Sequence, residues 1–507
     1  MVKATFNPPY SHYLLTADLS QEIDRRTIEE MDIDGFTLME VAGSSAAKII
    51  LREYPDLSHG VFLCGKGNNG GDALVVARYL MQNDINLSLV FLSGTDDLSE
   101  DAEKNLQLLK SFDQYNELTV FEHWEEFKSP KHFDFIVDGM LGTGLDSDVR
   151  SDYAKAVDWA NEQFQPVFAM DAPTGLHADT GQVMGCAIQA HATFAFGGRK
   201  QGFYLEDGPE VTGRIHYCEL PFPNKFKESG RTFLLDDSWV SLESPTLGRH
   251  KYDSGVLYII AGSEGLTGAA IMAARSAWAE GLGAVILVCP RGVLDIYEQN
   301  LPSIIKKPVG KRSDYHFRQE HASEALSILD EKAGKVLLGP GLGRDSSTVD
   351  FVQQFLAQNN RDAVIDADGL WCLSQLDNWT PPENVQWILT PHPGELSRLL
   401  PGTAVSTDSD RLIAARSFSS QKNITLLSKG MPGIVGTSLG ACYVTDYNTH
   451  YFARAGSGDV LSGKVGAYLA LGNSPETSCL KGLLNGKKKL DYYLNHQQGL
   501  PEPKDFI

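Results

Sequence analysis

The chain has 507 residues, 42% of them hydrophobic and 21% charged, with 48 glycines, which is the composition of an ordinary globular protein rather than a disordered one. Its formal net charge of −21 repels phosphate backbones and anionic membrane surfaces, so nucleic acid and membrane are set aside as main partners. At roughly 150 residues per domain, more than one domain is expected.

Seven cysteines, Cys64, Cys186, Cys218, Cys289, Cys372, Cys442 and Cys479, are scattered and never at C-x-x-C spacing, so neither a disulfide frame nor a zinc site is indicated. The first twenty residues lack a basic stretch followed by an apolar run, and no stretch of about 18 apolar residues occurs. A cytoplasmic protein is the expectation.

Helical periodicity runs from residue 17 (ADLSQEIDRRTIEE) and again from Thr37 (TLMEVAGSSAAKIILREY). Short β-branched or aromatic runs follow at 61–64, 87–92, 133–138, 166–171 and 192–197, separated by helix-length polar segments. Such alternation predicts a parallel sheet covered by helices on both faces. Residues 221–247 carry three prolines and little apolar periodicity, which predicts a linker, placed at 226–246 between a first domain over 1–225 and a second over 247–507. A second series of apolar runs then appears at 255–262, 284–289, 335–339, 362–366, 385–390 and 424–430. The fold class is therefore α/β twice over, as two three-layer α/β/α domains.

The run VFLC leads into Gly65-Lys66-Gly67-Asn68-Asn69-Gly70-Gly71-Asp72 and then the helix-like ALVVARYL. Gly65, Gly67 and Gly70 meet the dinucleotide fingerprint in the strand-to-helix setting it requires. A hydride-transfer dehydrogenase fits poorly, because no acidic residue ends the following run LSLVFL; a glycine turn without a ligand is the other alternative. Asp138 and Asp171 end two further runs. Ligands of open parallel sheets bind beyond the carboxyl ends of strands, so Asn69, Asp138 and Asp171 could share one crevice; the competing account is that each acid caps a turn or helix.

GKGNNGGDALVVARYL, VDGMLGTGLDSDVR and DAPTGLHADTG together closely resemble the NAD(P)HX epimerase family over roughly residues 15–215, a resemblance that implies a Rossmann-like domain. It further implies that Asn68, Asn69, Gly70, Gly71 and Asp72, with Gly142, Thr143, Gly144, Leu145, Asp146, Ser147 and Asp148, contact a hydrated dinucleotide, and that Asn69, Asp138 and Thr174 hold a potassium ion. Asp171 matches a substrate-contacting position and is the candidate general acid/base. Ala73 and Thr174 stand where that family usually has Gly and Ser; the threonine keeps the hydroxyl oxygen that a hard cation needs.

In the second half, Ala455-Gly456-Ser457-Gly458-Asp459-Val460-Leu461-Ser462-Gly463 opens a helix-like run. Glycines at a helix start expose N–H groups to an anion, and Asp459 in the first turn is placed to accept a proton from a hydroxyl being phosphorylated. Taken alone, Asp459 could simply favour the helix N-terminus. Thr267-Gly268-Ala269, Gly339-Pro340-Gly341-Leu342-Gly343, Asp366-Ala367-Asp368, Thr390-Pro391-His392-Pro393-Gly394-Glu395 and Lys429-Gly430 each follow an apolar run, and six such loops describe a nucleotide and substrate cleft. His392 between two prolines favours a ligand contact over a core position.

This ordered set resembles the ADP-dependent NAD(P)HX dehydratase family of the ribokinase-like superfamily over roughly residues 245–475, with TPHPGE and GSGDVLSG its most specific elements. The resemblance implies that Ala269, Gly341, His392 and Asp459 contact the hydrate, that Lys429, Gly430, Met431, Pro432, Gly433 and Gly458 bind the nucleotide, and that Mg2+ accompanies ADP as phosphoryl donor. The expected activity is repair of NADHX and NADPHX, by epimerisation of the R and S hydrates in the first domain and ADP-dependent dehydration in the second, with Asp171 and Asp459 catalytic. The alternative is a ribokinase-like small-molecule kinase carrying a non-catalytic nucleotide-binding module. Assembly into homo-oligomers is left open, and the residues past about 485 are expected to form a solvated end.

Overall fold

The computed structural model describes residues 8–113, 118–242 and 254–507. Two compact units emerge, Pro8–Thr232 and Phe233–Ile507. The expected linker is partly built structure: Asn224–Lys227 is a helical turn with Phe226 buried against Leu15 and Ile23, and Thr232–Leu235 is a strand. Its three apolar residues, Phe233 to Leu235, among prolines and charges were too short a run to signal that strand. Residues 243–246 of the expected linker and 247–253 of the expected second domain lie outside the described residues.

The first unit is built on seven parallel strands: β1 (His59–Cys64), β2 (Asn86–Phe91), β3 (Leu118–Phe121), β4 (Phe135–Gly139), β5 (Val167–Met170), β6 (Ala192–Phe196) and β7 (Arg214–Cys218), in spatial order β3-β2-β1-β4-β5-β6-β7. The chain direction of the crossovers reverses between β1 and β4, so the loops after these two strands part there and leave a crevice. Helices Gly35–Glu53, Asn68–Met81 and Glu100–Phe112 pack on one another over one face of the sheet. Separate apolar clusters, around Phe62, Leu74 and Phe168 on one side and Val61, Ile136 and Val157 on the other, fill the two interfaces of a three-layer sandwich. Buried on both faces, these strands read as continuous apolar runs.

Close approach across the crevice depends on glycine. A Cβ on Gly65 would lie 1.9 Å from the carbonyl oxygen of Met140, and one on Gly70 would lie 2.0 Å from that of Gly65. The loop after β1 therefore touches the loop after β4 and turns at once into the helix Asn68–Met81.

The second unit carries a ten-stranded sheet, here numbered β8 (Thr232–Leu235), β9 (Val256–Ile260), β10 (Ala284–Pro290), β11 (Ile305–Val309), β12 (Lys335–Leu338), β13 (Ala363–Ile365), β14 (Trp387–Leu389), β15 (Thr425–Ser428), β16 (Ile434–Gly436) and β17 (Cys442–Thr445). The order is β8-β17-β16-β15-β14-β13-β12-β9-β10-β11. Pairing is parallel from β15 through β11 and antiparallel at β15–β16 and β16–β17. Here the switch point lies between β9 and β12. Helix Ser457–Ala470 packs against helix Thr267–Ala279 through a glycine contact, since a Cβ on Gly463 would lie 2.4 Å from the carbonyl oxygen of Ala273, and Ser276 Oγ donates to the Val460 carbonyl at 2.7 Å.

One expectation is corrected at the end of the chain. Residues past 485 are not a solvated end: helix Pro475–His496 continues through them with Leu490 buried, and Phe506 is only 2% exposed. The basic run occupies the outer side of an amphipathic helix, which hid its buried apolar positions.

Replacing Gly65 by Ala drives a methyl group into backbone at the β1–β4 crossing, where no side chain can move aside. Gly65→Ala is expected to destabilise the protein by about 2 kcal/mol, read as a lowered thermal midpoint; an unchanged midpoint would show that the two loops do not meet.

Candidate functional site

A cleft of about 800 Å3 opens at the β1–β4 switch point of the first unit. Asn68, Asn69 and Asp72 line it from the loop after β1, and all of residues 142–148 line it from the loop after β4. Gly70 and Gly71 do not line it; they pack the helix start onto Gly65 and Met39. Asp171 enters from the tip of β5 in a left-handed conformation, φ 56°, unusual for a non-glycine residue and the kind of strain that functional sites retain.

Asp171 is held by two donors on one oxygen: Oδ1 accepts from Lys200 Nζ at 2.6 Å and from the Phe196 amide at 3.1 Å. Lys200 is 1% exposed and also donates to the carbonyls of Gly198 and Phe196, at 2.9 and 3.2 Å. Three carboxylates face this one ammonium group. Burial pushes Asp72 well above the usual carboxylate range, and the charges of Asp171 and Asp24 add to that, with Lys200 opposing. Asp24, on helix Ala17–Met31 at the cleft rim, is pushed up to about 6 by loss of surrounding water and by Asp171. The cleft thus holds one carboxyl, Asp24, that exchanges its proton near pH 6, beside a second, Asp72, shifted in the same direction.

Asp138 and Thr174 lie beneath this cleft, both fully buried. Asp138 accepts from the Met140 amide and, through both oxygens, from Thr174: the amide at 2.7 Å and the hydroxyl at 2.7 Å. Burial nevertheless raises its carboxyl to about 6. Asn69 is buried beside residue 142, and neither its Oδ1 nor its Nδ2 has a hydrogen-bond partner.

The second unit has a cleft of about 520 Å3. His392, Lys429, Gly430, Met431, Gly433 and Gly458 line it, while Pro432 turns its carbonyl outward to Arg411 Nη2 at 2.9 Å. The buried Arg411 also bonds Ser428 Oγ and the Ser428 carbonyl, and so fixes residues 428–432 from behind. Lys429 Nζ donates to Asp366 Oδ1 at 2.6 Å and lies 3.9 Å from Glu395 Oε2. Burial opposes its charge, but Asp366 and Glu395 outweigh burial and hold the ammonium above its ordinary value.

Asp459 sits in the first turn of helix Ser457–Ala470, beside Gly458, where an added Cβ would lie 3.2 Å from Lys429 Nζ. Burial, then the charge of Asp366, pushes its carboxyl up to about 7 against the pull of Lys429. His392 is the N-cap of helix Pro393–Leu399: Nδ1 accepts from the Gly394 amide and Glu395 accepts from the His392 amide. Burial, then Lys429, lowers its pKa. Ala269 and Gly341 adjoin at the β9–β12 switch point, 3.3 Å apart between Ala269 Cβ and a Cβ built on Gly341, and do not line the 520 Å3 cavity.

Comparison with known proteins completes the description. The family model for the YjeF-related protein N-terminus matches residues 35–202, and that for NAD(P)H-hydrate dehydratase matches residues 257–498. The bifunctional NAD(P)H-hydrate repair enzyme Nnr of Salinibacter ruber is 34% identical over 95% of this chain and 92% of its own length. The chain belongs to this bifunctional repair-enzyme family. The corresponding protein of Moorella thermoacetica is 32% identical over 93% of this chain and 90% of its own. A crystal structure of an ADP/ATP-dependent NAD(P)H-hydrate dehydratase from Bacillus subtilis, co-crystallised with ATP and Mg2+, aligns with 52% of this chain and 91% of its own at 22% identity and a TM-score of 0.45.

Within this repair-enzyme chain, Lys200, Asp24, Asp366 and Glu395 complete the charge clusters although none was singled out as a site residue. Lys200 follows two glycines after β6 (FGGRK), and a lysine just past a parallel strand tip was the available signal. Asp24 lies on a surface helix with no such signal. Lys200→Met leaves Asp24, Asp72 and Asp171 facing one another. Asp24 and Asp72 already hold their protons more tightly folded than unfolded, so the cost vanishes at low pH and grows as pH rises through about 6 at Asp24. The variant is expected to lose about 3 kcal/mol at pH 8 and much less at pH 5, measured as urea midpoints; equal losses would mean that Lys200 does not neutralise this cluster.

Proposed function

We propose that the first cleft interconverts the R and S forms of hydrated NADH and NADPH and that the second removes water from the S form with ADP as phosphoryl donor. The observation that carries this most directly is Asp459: a carboxyl pushed up to about 7 in the first turn of a glycine-opened helix, next to the ammonium group of Lys429. A general base works best with a pKa near the operating pH. The kinase alternative is not favoured, because relatives named for both repair activities match the chain through both halves.

In the second cleft the helix start at 456–458 offers backbone N–H groups and a positive dipole end to phosphate, and Lys429 adds a cation. Asp459 takes the proton of the ring hydroxyl as the β-phosphoryl group of ADP is transferred to that oxygen. AMP is left behind, and expulsion of phosphate from the ring with loss of the neighbouring proton restores NAD(P)H. Magnesium, when bound, supplies charge neutralisation along the phosphates; the buried Asp366 Oδ2, which has no hydrogen-bond partner, is a fitting oxygen donor for it. Ala269 and Gly341, at the neighbouring switch point, would hold the hydrated ring, with His392 at the boundary.

In the first cleft, exchange of stereochemistry requires loss and return of water, or ring opening, at the hydrated carbon. Asp171 moves the proton: both protein donors engage Oδ1, which leaves Oδ2 for substrate. The loop residues 142–148 and Asn68 to Asp72 would enclose the dinucleotide. A potassium ion fits beside Asp138, since the unpartnered Asn69 Oδ1, the Thr174 hydroxyl and a buried carboxylate are all oxygen donors. Such an ion would fix the floor of the cleft and hold Asp138 ionised.

Incubation of mixed R and S hydrates with the protein, followed by reduced-nicotinamide absorbance, tests both halves at once. Full recovery is expected with ADP, recovery of the S fraction alone at the rapid rate in Asp171→Asn, and none in Asp459→Asn. Wild-type turnover in Asp459→Asn would remove the assigned base.

A further inference from the structure

The segment after helix Pro475–His496 lies almost wholly outside the dehydratase family match, which ends at residue 498. It is nonetheless packed. Pro501 is buried, and the turn Pro503–Phe506 lies on helices Ser457–Ala470 and Pro475–His496. Lys489 Nζ donates to the Ile507 carbonyl at 3.0 Å, which ties the segment to the long helix. Phe506 inserts among Val460 and Leu490, its ring centroid 5.0 Å from that of Phe452.

Phe506 also lines the 520 Å3 cavity. That cavity combines two chemistries: Lys429 and Gly458 line it, and so does Phe452, with the buried Phe506, Val460 and Leu483 closing its apolar wall. A nucleoside diphosphate carries the same two chemistries, charge on its phosphates and a flat aromatic base. Aromatic walls favour a flat ring through offset stacking and apolar burial.

We infer that Phe506, supplied by a segment beyond the span matched by the family model, is an affinity determinant for the nucleotide, its buried ring backing that of Phe452 and so holding in place the wall against which the base rests. The inference builds on the proposed ADP site and adds to it the source of the base contact. It also gives the segment a role: a folded strap whose docking completes the pocket, so that removal of residues 499–507 opens the base end while Lys429 and the helix start stay in place.

Calorimetric titration of the full-length protein with MgADP, without hydrate, separates this from the reading beneath it. The wild type is expected to bind, Phe506→Ala to bind about tenfold more weakly, and Lys504→Ala, on the exposed side of the same turn, within twofold of wild type. In turnover the KM for ADP rises with kcat nearly unchanged. Should Phe506→Ala melt too early to titrate, Phe506→Leu keeps the cluster with Val460 and Leu490 apolar but removes the ring; a severalfold rise in Kd supports the wall and an unchanged Kd overturns it. A folded Phe506→Ala with wild-type affinity overturns it as well. Failure of the wild type itself to bind MgADP would instead defeat the nucleotide reading of the cavity, and the inference with it.

Discussion

In each unit a lysine donates to an aspartate at the tip of a parallel strand, the buried Lys200 to Asp171 and the partly buried Lys429 to Asp366, both at 2.6 Å. Removing charged groups from water costs several kcal/mol each, and such clusters persist only where geometry returns most of that cost. Each lysine is the hub around which further carboxylates gather: Asp24 and Asp72 in the first cleft, Glu395 and Asp459 in the second. One cation does not fully neutralise three acids, so a residue of repulsion remains in each cluster. Burial, with that repulsion added to it, raises the carboxyls of Asp24 and Asp459 toward neutrality, and proton transfer at physiological pH follows from it.

The topology supplies the geometry. At the β1–β4 switch point adjacent loops diverge over the carboxyl ends of strands and leave a crevice with the Lys200–Asp171 pair on its wall; in the second unit the Lys429–Asp366 pair bridges the tips of β15 and β13. Strand tips are also where the backbone is forced: Asp171 and Ala367 both have positive φ, 56° and 49°. Short parallel strands buried on both faces hold these positions against that strain, so the rigid sheet and the strained loop are parts of one device. Glycines serve it by letting backbone cross backbone, as Gly65 does over Met140.

Much of this was legible in the amino-acid order. Apolar runs alternating with helical periodicity indicated two α/β units, and the loops after them contained Asn69, Asp138, Asp171, His392, Lys429 and Asp459. Edge strands were less visible. β11 reads IKKPV and β7 reads RIHYC, because one side of an edge strand faces solvent and admits charge, and its free edge tolerates proline. The partners of the acids were also hidden: Asp24 comes from a helix more than a hundred residues before Asp171, and no local pattern encodes which distant lysine will lie beneath a carboxylate. The closing segment was misjudged for a similar reason, since Phe506 is one aromatic residue among charges and its burial depends on Phe452 and Val460.

The central claim is that a lysine-centred acid cluster tunes the proton acceptor of the nucleotide cleft, and the pH dependence of kcat/KM for the ADP-dependent step tests it most directly. Asp459 must be ionised to accept a proton, so the rate is expected to fall as pH drops through about 7, and in Lys429→Met, where the ammonium no longer favours the carboxylate, the residual rate should show that limb displaced to higher pH. A profile flat from pH 5 to 8, or limbs that coincide in the two proteins, would contradict the account.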